Sequence, residues 1–470
     1  MPIYEKLMGN PFVDAGVSVI CEWLEKLPQP EEITIEDLRQ VVQEVVPLYC
    51  EYEYRAQIRF IFPNSTLTQH SKIQKGIQSL TEELKSEWLQ QLDKITDLDD
   101  AGDCMGCGRR SVDFRLKKTE VPLTGSGSLR NFFPLFAEGS GYCAACALAI
   151  QFAPLGFVRS GGKFLALHSN SWKAINYWTR TCIADIRSRG SRNEFTGFFD
   201  PKESKAQNAL FYMVRKMVEY EADRSTENIT MQVYSFSNDN RKAELDMYHL
   251  PARVFNFLRF VQRAQYAKNW YLIVRSGYRR QTRKGFQDID LKNKNPAEVY
   301  QKSTNLVYNN LLEDKSILGF FFDRTARKTR SNWELLSLYL KEVRKMELTQ
   351  LEKIKQVGDL IAKSIQESES DKRLKQLEMA KSYGECRNIL RYVIRDRIQQ
   401  GAPEPLFSID DYMEHLFPAS DNLDLTPWRE TRDLLLFRIY EKLHKWLKEK
   451  GHVDFDDNTS ETDDNNEEEN

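Results

Sequence analysis

Two pairs of cysteines constrain this chain more than any other feature. Cys104-Met105-Gly106-Cys107 and Cys143-Ala144-Ala145-Cys146 are each a C-x-x-C knuckle, and Gly106 and Gly108 supply the backbone freedom that the first tight turn needs. Four thiolates in two such pairs complete the tetrahedral shell of one Zn²⁺ and leave no position for a substrate. A closed site of that kind organises a fold; it does not activate water. Two separate redox dithiols, or unrelated core cysteines, are the competing readings. They are less economical, because lone core cysteines rarely fall into two matching knuckles. The expected ligands are therefore Cys104, Cys107, Cys143 and Cys146, around a structural zinc. The stretch between the knuckles, 108–142, is longer than in the usual zinc ribbon, so it should carry content of its own.

The other cysteines, Cys21, Cys50, Cys182 and Cys386, fall singly, which suits reduced thiols in a cytosol better than a disulfide framework. The first ten residues have no basic region followed by an apolar run, and no stretch reaches the roughly 18 apolar residues of a membrane span. The expectation is a cytoplasmic protein with no membrane partner. Charge is distributed unevenly. From Asp454 to the end there are nine acidic residues and no basic ones; removing them from the net −2 leaves about +7 on the rest. An acidic tail beside a basic body is a common pairing in nucleic-acid binders, although such tails often serve only solubility.

The 470 residues suggest two to four domains. Helical spacing of Val17, Ile20, Cys21, Leu24 and Leu27 follows a Gly-Asn-Pro turn and stops at Pro28 and Pro30. Further helices are expected over 34–46, 73–92, 147–152, 171–188, 206–220 and 251–264, with 54–62 extended. Paired strands are expected around Gly161-Gly162, and a hairpin over 229–236 and 243–248, with Asn238-Asp239-Asn240 as its turn. From Ser331 to Gly451 apolar residues keep helical period with few breakers, which reads as a bundle of about four to six helices. The tail 452–470 reads as disordered. The fold class is α+β: a mixed N-terminal lobe (1–100), a zinc-binding element embedded at 101–150, the rest of the body (151–330), the helical bundle (331–451) and the tail.

The inter-knuckle stretch contains Arg109-Arg110 and then Gly125-Ser126-Gly127-Ser128-Leu129-Arg130-Asn131-Phe132-Phe133-Pro134. Small residues let backbone N–H groups approach phosphates, and Arg and Asn are side chains that read base edges; the bland alternative is a loop whose two phenylalanines tuck into the core. Arg275, Arg279, Arg280, Arg283 and Lys284 form a basic cluster with Tyr278 and Phe286 interleaved, the combination that holds phosphates and stacks unpaired bases. Arg324, Arg327, Lys328 and Arg330 form a second cluster. For each cluster the alternative is a solvated charged surface.

Recognisable catalytic patterns are missing. Six histidines are scattered singly; there is no H-E-x-x-H, no P-loop, no G-x-S-x-G elbow and no H-x-E upstream of a C-x-x-C. A binding or structural protein, not an enzyme, is the expectation.

The opening Gly9-Asn10-Pro11-Phe12-Val13-Asp14-Ala15-Gly16, the two knuckles, Asn131-Phe132-Phe133-Pro134 between them, and Tyr234-Ser235-Phe236-Ser237-Asn238 followed by Leu250-Pro251 resemble the CXXC-CXXC large subunit of type I-B CRISPR Cascade. The similarity runs to about residue 320 in pattern and more loosely beyond. The resemblance implies a protein that sits at the 5′ end of a guide RNA, beside the backbone and 5′-handle subunits of the complex. It would recognise the short motif flanking a double-stranded DNA target and help open the duplex, while guide pairing reads the sequence. Cleavage would belong to a separate helicase-nuclease, or the complex would recruit transposition proteins. On that resemblance Asn10, Arg109, Arg110, Arg130 and Asn131 become candidate motif readers, and Arg279, Arg280, Arg283, Lys284, Arg327 and Lys328 candidate phosphate contacts. In related systems a small helical subunit can be translated from inside the large-subunit gene. Met346 stands near the start of the bundle, and Lys341-Glu342-Val343 before it can be encoded by a ribosome-binding sequence. The competing classes are a zinc-ribbon RNA-binding or transcription-associated protein that works without a guide, and an enzyme whose site is assembled from scattered residues.

Overall fold

The computed structural model describes residues 2–24, 29–96, 102–125, 136–220, 228–240, 242–289, 295–418 and 428–451. The chain divides into two compact units, one of residues 1–259 and 278–312, the other of residues 260–277 and 313–470.

The first unit is built around α1 (Pro11–Trp23). Asn10 starts this helix: its side-chain oxygen accepts from the backbone N–H groups of Phe12 and Val13, and Pro11 occupies the first position, where its missing N–H costs nothing. The Gly-Asn-Pro turn expected from the sequence is thus a helix start. Every residue from Phe12 to Trp23 is buried, including the polar stripe Asp14, Ser18 and Glu22, which is satisfied by the Met8 and Gly9 N–H groups, by Asn176 and by Arg180. Helix α2 (Ile35–Cys50) opens with a capping box between Thr34 and Asp37. After it come α3 (Tyr52–Ile58), α4 (His70–Ile73) and α5 (Ile77–Leu92). The stretch 54–62, expected to be extended, is helical and then turned. Within α3 the buried residues are Tyr54, Gln57 and Ile58, and that spacing is helical. The single helix expected over 73–92 is split at Gly76, whose φ is +103°.

Strands β1 (Phe114–Leu116) and β2 (Ser140–Tyr142) pair antiparallel, and β2 leads into α6 (Ala144–Phe152). Next follow β3 (Val158–Ser160), β4 (Lys163–Ser169), α7 (Trp172–Ser191), α8 (Ala206–Tyr220), β5 (Met231–Asn238), β6 (Ala243–Leu250) and α9 (Ala252–Val261). The four strands β3 to β6 form one antiparallel sheet in chain order. The strand pair around Gly161-Gly162, the 206–220 helix and the hairpin are as the sequence indicated. The helix after Pro251 ends at Val261, and a separate helix, α10 (Ala264–Ser276), belongs to the second unit. The first unit closes with β7 (Tyr278–Thr282), β8 (Gly285–Gln287), α11 (Pro296–Lys302), β9 (Thr304–Asn305) and α12 (Leu306–Leu312), the strands ordered β8-β7-β9.

Two packing features join the opening of the chain to the rest of this unit. The rings of Phe12, Phe157 and Phe236 meet edge to face, with centroids 5.8–6.1 Å apart. Gly16 lets α1 and α6 touch backbone to backbone: a β-carbon there would lie 1.8 Å from the Ala149 carbonyl oxygen.

The second unit contains α10, a short hairpin of β10 (Phe322–Asp323) and β11 (Lys328–Thr329), then α13 (Trp333–Glu342), α14 (Leu348–Glu367), α15 (Lys372–Met379), α16 (Tyr383–Gln399), a π-helical turn Asp411–Leu416 and α17 (Trp428–Glu449). The expected bundle is present, but the division falls at 312/313 instead of 330/331, and α10 joins it. Tyr266 on α10 donates its hydroxyl to Glu334 at 2.6 Å, and Asn269 donates to the Arg330 carbonyl at 3.0 Å. Helices α15 and α16 part at residues 380–382, where Ser382 caps α16; Gly384 sits inside that helix. The acidic tail, 452–470, lies outside the described residues. No helix among the described residues is long and apolar enough to cross a membrane.

Candidate metal centre and basic surfaces

Strand pairing brings the two knuckles together. Cys107 lies seven residues before Phe114, the first residue of β1, and Cys143 directly follows Tyr142 at the end of β2; Phe114 pairs with Tyr142. The first knuckle is a loop closed on itself, with Gly102 N–H donating to the Gly108 carbonyl at 2.8 Å, Cys104 N–H to Arg110 at 3.1 Å and Gly108 N–H to Cys104 at 2.7 Å. A further bond from Met105 N–H to the Gly141 carbonyl, 2.9 Å, fixes it against β2. The second knuckle is the start of α6. Cys143 is its N-cap, and its sulfur lies 3.5 Å from Cys146 N–H.

The Sγ atoms of Cys104, Cys107, Cys143 and Cys146 all lie within 4.8 Å of one another. Four sulfurs about 2.3 Å from a shared tetrahedral centre are roughly 3.8 Å apart, and Cys107 Sγ is 3.9 Å from Cys143 Sγ. The donor set is all thiol, which suits zinc and offers no oxygen ligand for calcium or magnesium. Cys104, Cys143 and Cys146 are buried and Cys107 half-buried. Backbone N–H groups of Gly106 and Cys143 point at Cys104 Sγ at 3.3 and 3.2 Å, which stabilises a thiolate there, as does the positive end of α6. These residues fit a structural zinc ion, held by all four sulfurs with no ligand position left over.

The four thiols shift one another's acidity in opposite directions. Hydrogen bonds from Cys107, Cys143 and Cys146 drive the Cys104 thiol far below its ordinary range. Cys107 is raised by its bond with Cys104 but lowered further by Cys143 and Cys146, to about 6. Cys143 and Cys146 are pushed up in turn, chiefly by those same bonds to Cys104 and Cys107.

The knuckles are anchored by residues that the motif does not reveal. Asp113 accepts the Ala144 N–H at 2.8 Å, satisfying a donor at the buried start of α6, and Asp103 accepts the Val112 N–H at 3.1 Å. Nothing but proximity to the cysteines could have singled these carboxylates out. Gly106 has no room for a side chain: a β-carbon there would lie 2.7 Å from Cys146 Cβ and 2.8 Å from its Sγ.

Several candidate nucleic-acid residues are engaged in the fold. Arg110 is 1% exposed and donates to the carbonyls of Thr96 and Ile3, each at 2.7 Å; it has no surface to offer a phosphate or a base, and its role is to hold the N-terminal segment to the knuckle. Arg109 pairs with Glu5 and stays partly exposed. Asn10 spends its oxygen on α1 and brings its amide to 3.5 Å from the Met105 carbonyl, so it links α1 to the knuckle. Arg130 and Asn131 lie outside the described residues.

The cluster at 279–284 is the tip of the β7–β8 hairpin. Arg280, Arg283 and Lys284 are exposed there together with Phe286, which is 48% exposed. Arg279 is tied to Asp288 at 3.1 Å. The second cluster is mostly structural. Arg327 is 11% exposed and bridges Asp371 at 3.1 Å and Glu378 at 2.7 Å, so it is not available as a phosphate contact. Arg324 pairs with Asp433, and Arg330 binds Asp323 and two carbonyls. Lys328, at the start of β11, stays exposed.

Comparison with known proteins bears on this same segment. No curated protein matches the chain. A family model described as CRISPR-associated protein (Cas_CXXC_CXXC) matches residues 97–158, a stretch that runs from just before the first knuckle to the start of β3. Both knuckles lie inside that match and their four sulfurs are gathered within reach of one ion, so this segment is similar to the CRISPR-associated CXXC-CXXC family and supports a CRISPR-associated CXXC-CXXC protein.

Proposed function

We propose that this chain is the large subunit of a type I-B Cascade-like, RNA-guided DNA-binding complex. In this reading it contacts the 5′ end of the guide RNA, recognises the motif flanking a double-stranded target, helps open the duplex and performs no reaction itself. The observation that carries the reading is the closed four-sulfur centre inside the segment that matches the CRISPR-associated family. Such a centre has no open ligand position, so it supports a binding lobe and not a hydrolytic site.

The zinc-held lobe presents the inter-knuckle stretch, with Arg130 and Asn131, as the flanking-motif reader. The β7–β8 tip, with Arg280, Arg283 and Lys284 around exposed Phe286, supplies phosphate contacts and a stacking face. The helical second unit takes the part of a small subunit along the displaced strand. Its partners are the backbone and 5′-handle subunits, and a helicase-nuclease or transposition proteins act downstream.

The test is co-purification from cells that express the chain with its neighbouring genes. The expected result is a complex carrying a short RNA of uniform length. Replacing Arg130 and Asn131 by Ala is expected to abolish the preference for one flanking motif, and replacing Arg280, Arg283 or Lys284 to weaken binding evenly across sequences and flatten its salt dependence. Folded, zinc-loaded protein that carries no RNA under gentle conditions would overturn the proposal.

A further inference from the structure

The second unit contains a groove that none of the roles above uses. It lies between α15 and α16 and has a volume of about 630 Å³. Lys372, Lys375 and Met379 line one wall; Asn388, Ile389 and Tyr392 line the other. Two large apolar side chains are left in water at its surface, Met379 at 73% and Tyr392 at 42% exposed. Arg391 and Arg395, both exposed, flank Tyr392 on α16. Over 371–400 the chain carries eight basic and four acidic residues, and of the acids only Glu385 is exposed. Asp371 is shared by Arg327 and by Lys375, whose side chain stays 56% exposed, and Asp396 is held by Arg373. The rim is therefore cationic, and its floor is apolar.

The chain itself supplies a ligand of opposite character. Helix α17 ends beside the groove: Lys450 Nζ lies 3.4 Å from Glu369, two residues before Asp371, which opens the groove wall. Beyond Gly451 run 19 residues, with nine acidic residues and no basic one from Asp454 onward. At a little over 3 Å per residue such a segment reaches up to about 60 Å, while α16, of 17 residues, is about 25 Å long. Length thus allows the tail to run the whole groove. Val453 and Phe455 come first and match the exposed Met379 and Tyr392; the carboxylates follow and match the rim.

We propose that the acidic segment 454–470 docks in the α15–α16 groove, with Phe455 against Met379 and Tyr392 and its carboxylates on Lys372, Lys375, Arg391 and Arg395. Docked there, it shields a cationic surface from other polyanions. The attraction is between exposed charges, so it weakens with salt over the range where the screening length falls below about 10 Å. This inference is independent of the guide-RNA reading.

The experiment uses the full-length chain. A carbodiimide joins carboxylates to amines in direct contact, and the cross-links are mapped by mass spectrometry. The expected result is tail cross-links concentrated on Lys372 and Lys375, lost at 1 M salt, with none on Lys363, a 67% exposed lysine on α14. In a second arm the nine tail carboxylates are changed to amides. Acetylation of Lys372 and Lys375 is then expected to rise several-fold, with Lys363 unchanged. Cross-links spread evenly over surface lysines, or lysine reactivity indifferent to the amide tail, would overturn the proposal. So would protection of Lys372 and Lys375 by a single-stranded oligonucleotide but not by the tail, which would make the groove a nucleic-acid surface instead.

Discussion

Two glycines in the first knuckle have different reasons to be glycine, and that difference can be measured. Gly106 lacks space. A β-carbon there would lie 2.7 Å from Cys146 Cβ, 2.8 Å from Cys146 Sγ and 3.2 Å from Val13 Cγ2. Ordinary contact requires about 3.4 Å or more, so Gly106→Ala demands a shift of roughly 0.6 Å, about three times the ±0.2 Å that a zinc–sulfur bond tolerates. Cys146 is fully buried on the first turn of α6 and cannot swing away. Overpacking of this kind costs about 1–3 kcal/mol; if it falls on the metal-bound form, zinc binds about 5- to 150-fold more weakly. Gly108 has ample space, with nothing within 4 Å of the position a β-carbon would take, but its φ is +64°. Gly108→Ala costs about 1–2 kcal/mol of backbone strain, and Gly108→Asn recovers much of it, because asparagine tolerates that conformation. Gly106→Asn recovers nothing. The assay is competition for zinc against a chromophoric chelator, with bound zinc measured on the purified proteins. Wild-type affinity in Gly106→Ala, or asparagine rescue at 106 and not at 108, would refute the reasoning.

Three further outcomes are expected. Burial raises the Asp14 carboxyl to about 6, against the opposing hydrogen bonds from Met8 and Gly9 N–H. With a folded value above the unfolded one, the native state binds the extra proton between about pH 4 and 6, so this group's contribution to stability is present at low pH and is lost as pH rises through 6. The gap is worth about 3 kcal/mol, and the urea midpoint of wild type is expected to fall relative to Asp14→Asn between pH 4.5 and 7.5; parallel curves would contradict it. Arg438, which is 8% exposed, makes a two-pronged bridge to Asp359 at 2.6 and 2.9 Å and reaches Glu441 at 2.6 Å. Arg438→Ala is expected to lower the stability of the helical unit by about 2 kcal/mol, below the 3–5 of a fully buried pair because Asp359 is 35% exposed, as read from urea unfolding followed by helical circular dichroism. Met346 is half-buried in the link between α13 and α14. A product initiated there would therefore begin just before a whole helix. Expression of the wild-type gene is expected to yield a second, smaller species that Met346→Leu removes, and a single-sized product would exclude it.

Some of this protein is determined locally, and the sequence carries that part. A C-x-x-C pair is a short-range geometry, so two pairs suffice to pick out the four sulfurs that the β1–β2 pairing gathers within 4.8 Å of one another. Capping works at the same range: Thr34 with Asp37, and the hairpin from 231 to 250, could be read from a few neighbours. Where propensity and burial disagreed, the sequence misled. The stretch 54–62 was expected to be extended, but α3 buries Tyr54, Gln57 and Ile58 at helical spacing. Charge was the least legible property. Arg110, Arg279, Arg280 and Arg327 are the same residue type in similarly basic surroundings. Only the tertiary structure decided that Arg110 braces a buried loop, that Arg327 clamps two acids and that Arg280 faces solvent. A guanidinium's role depends on which carboxylates and carbonyls the fold brings within about 3 Å of it, and those partners lie from 14 to 107 residues away along the chain.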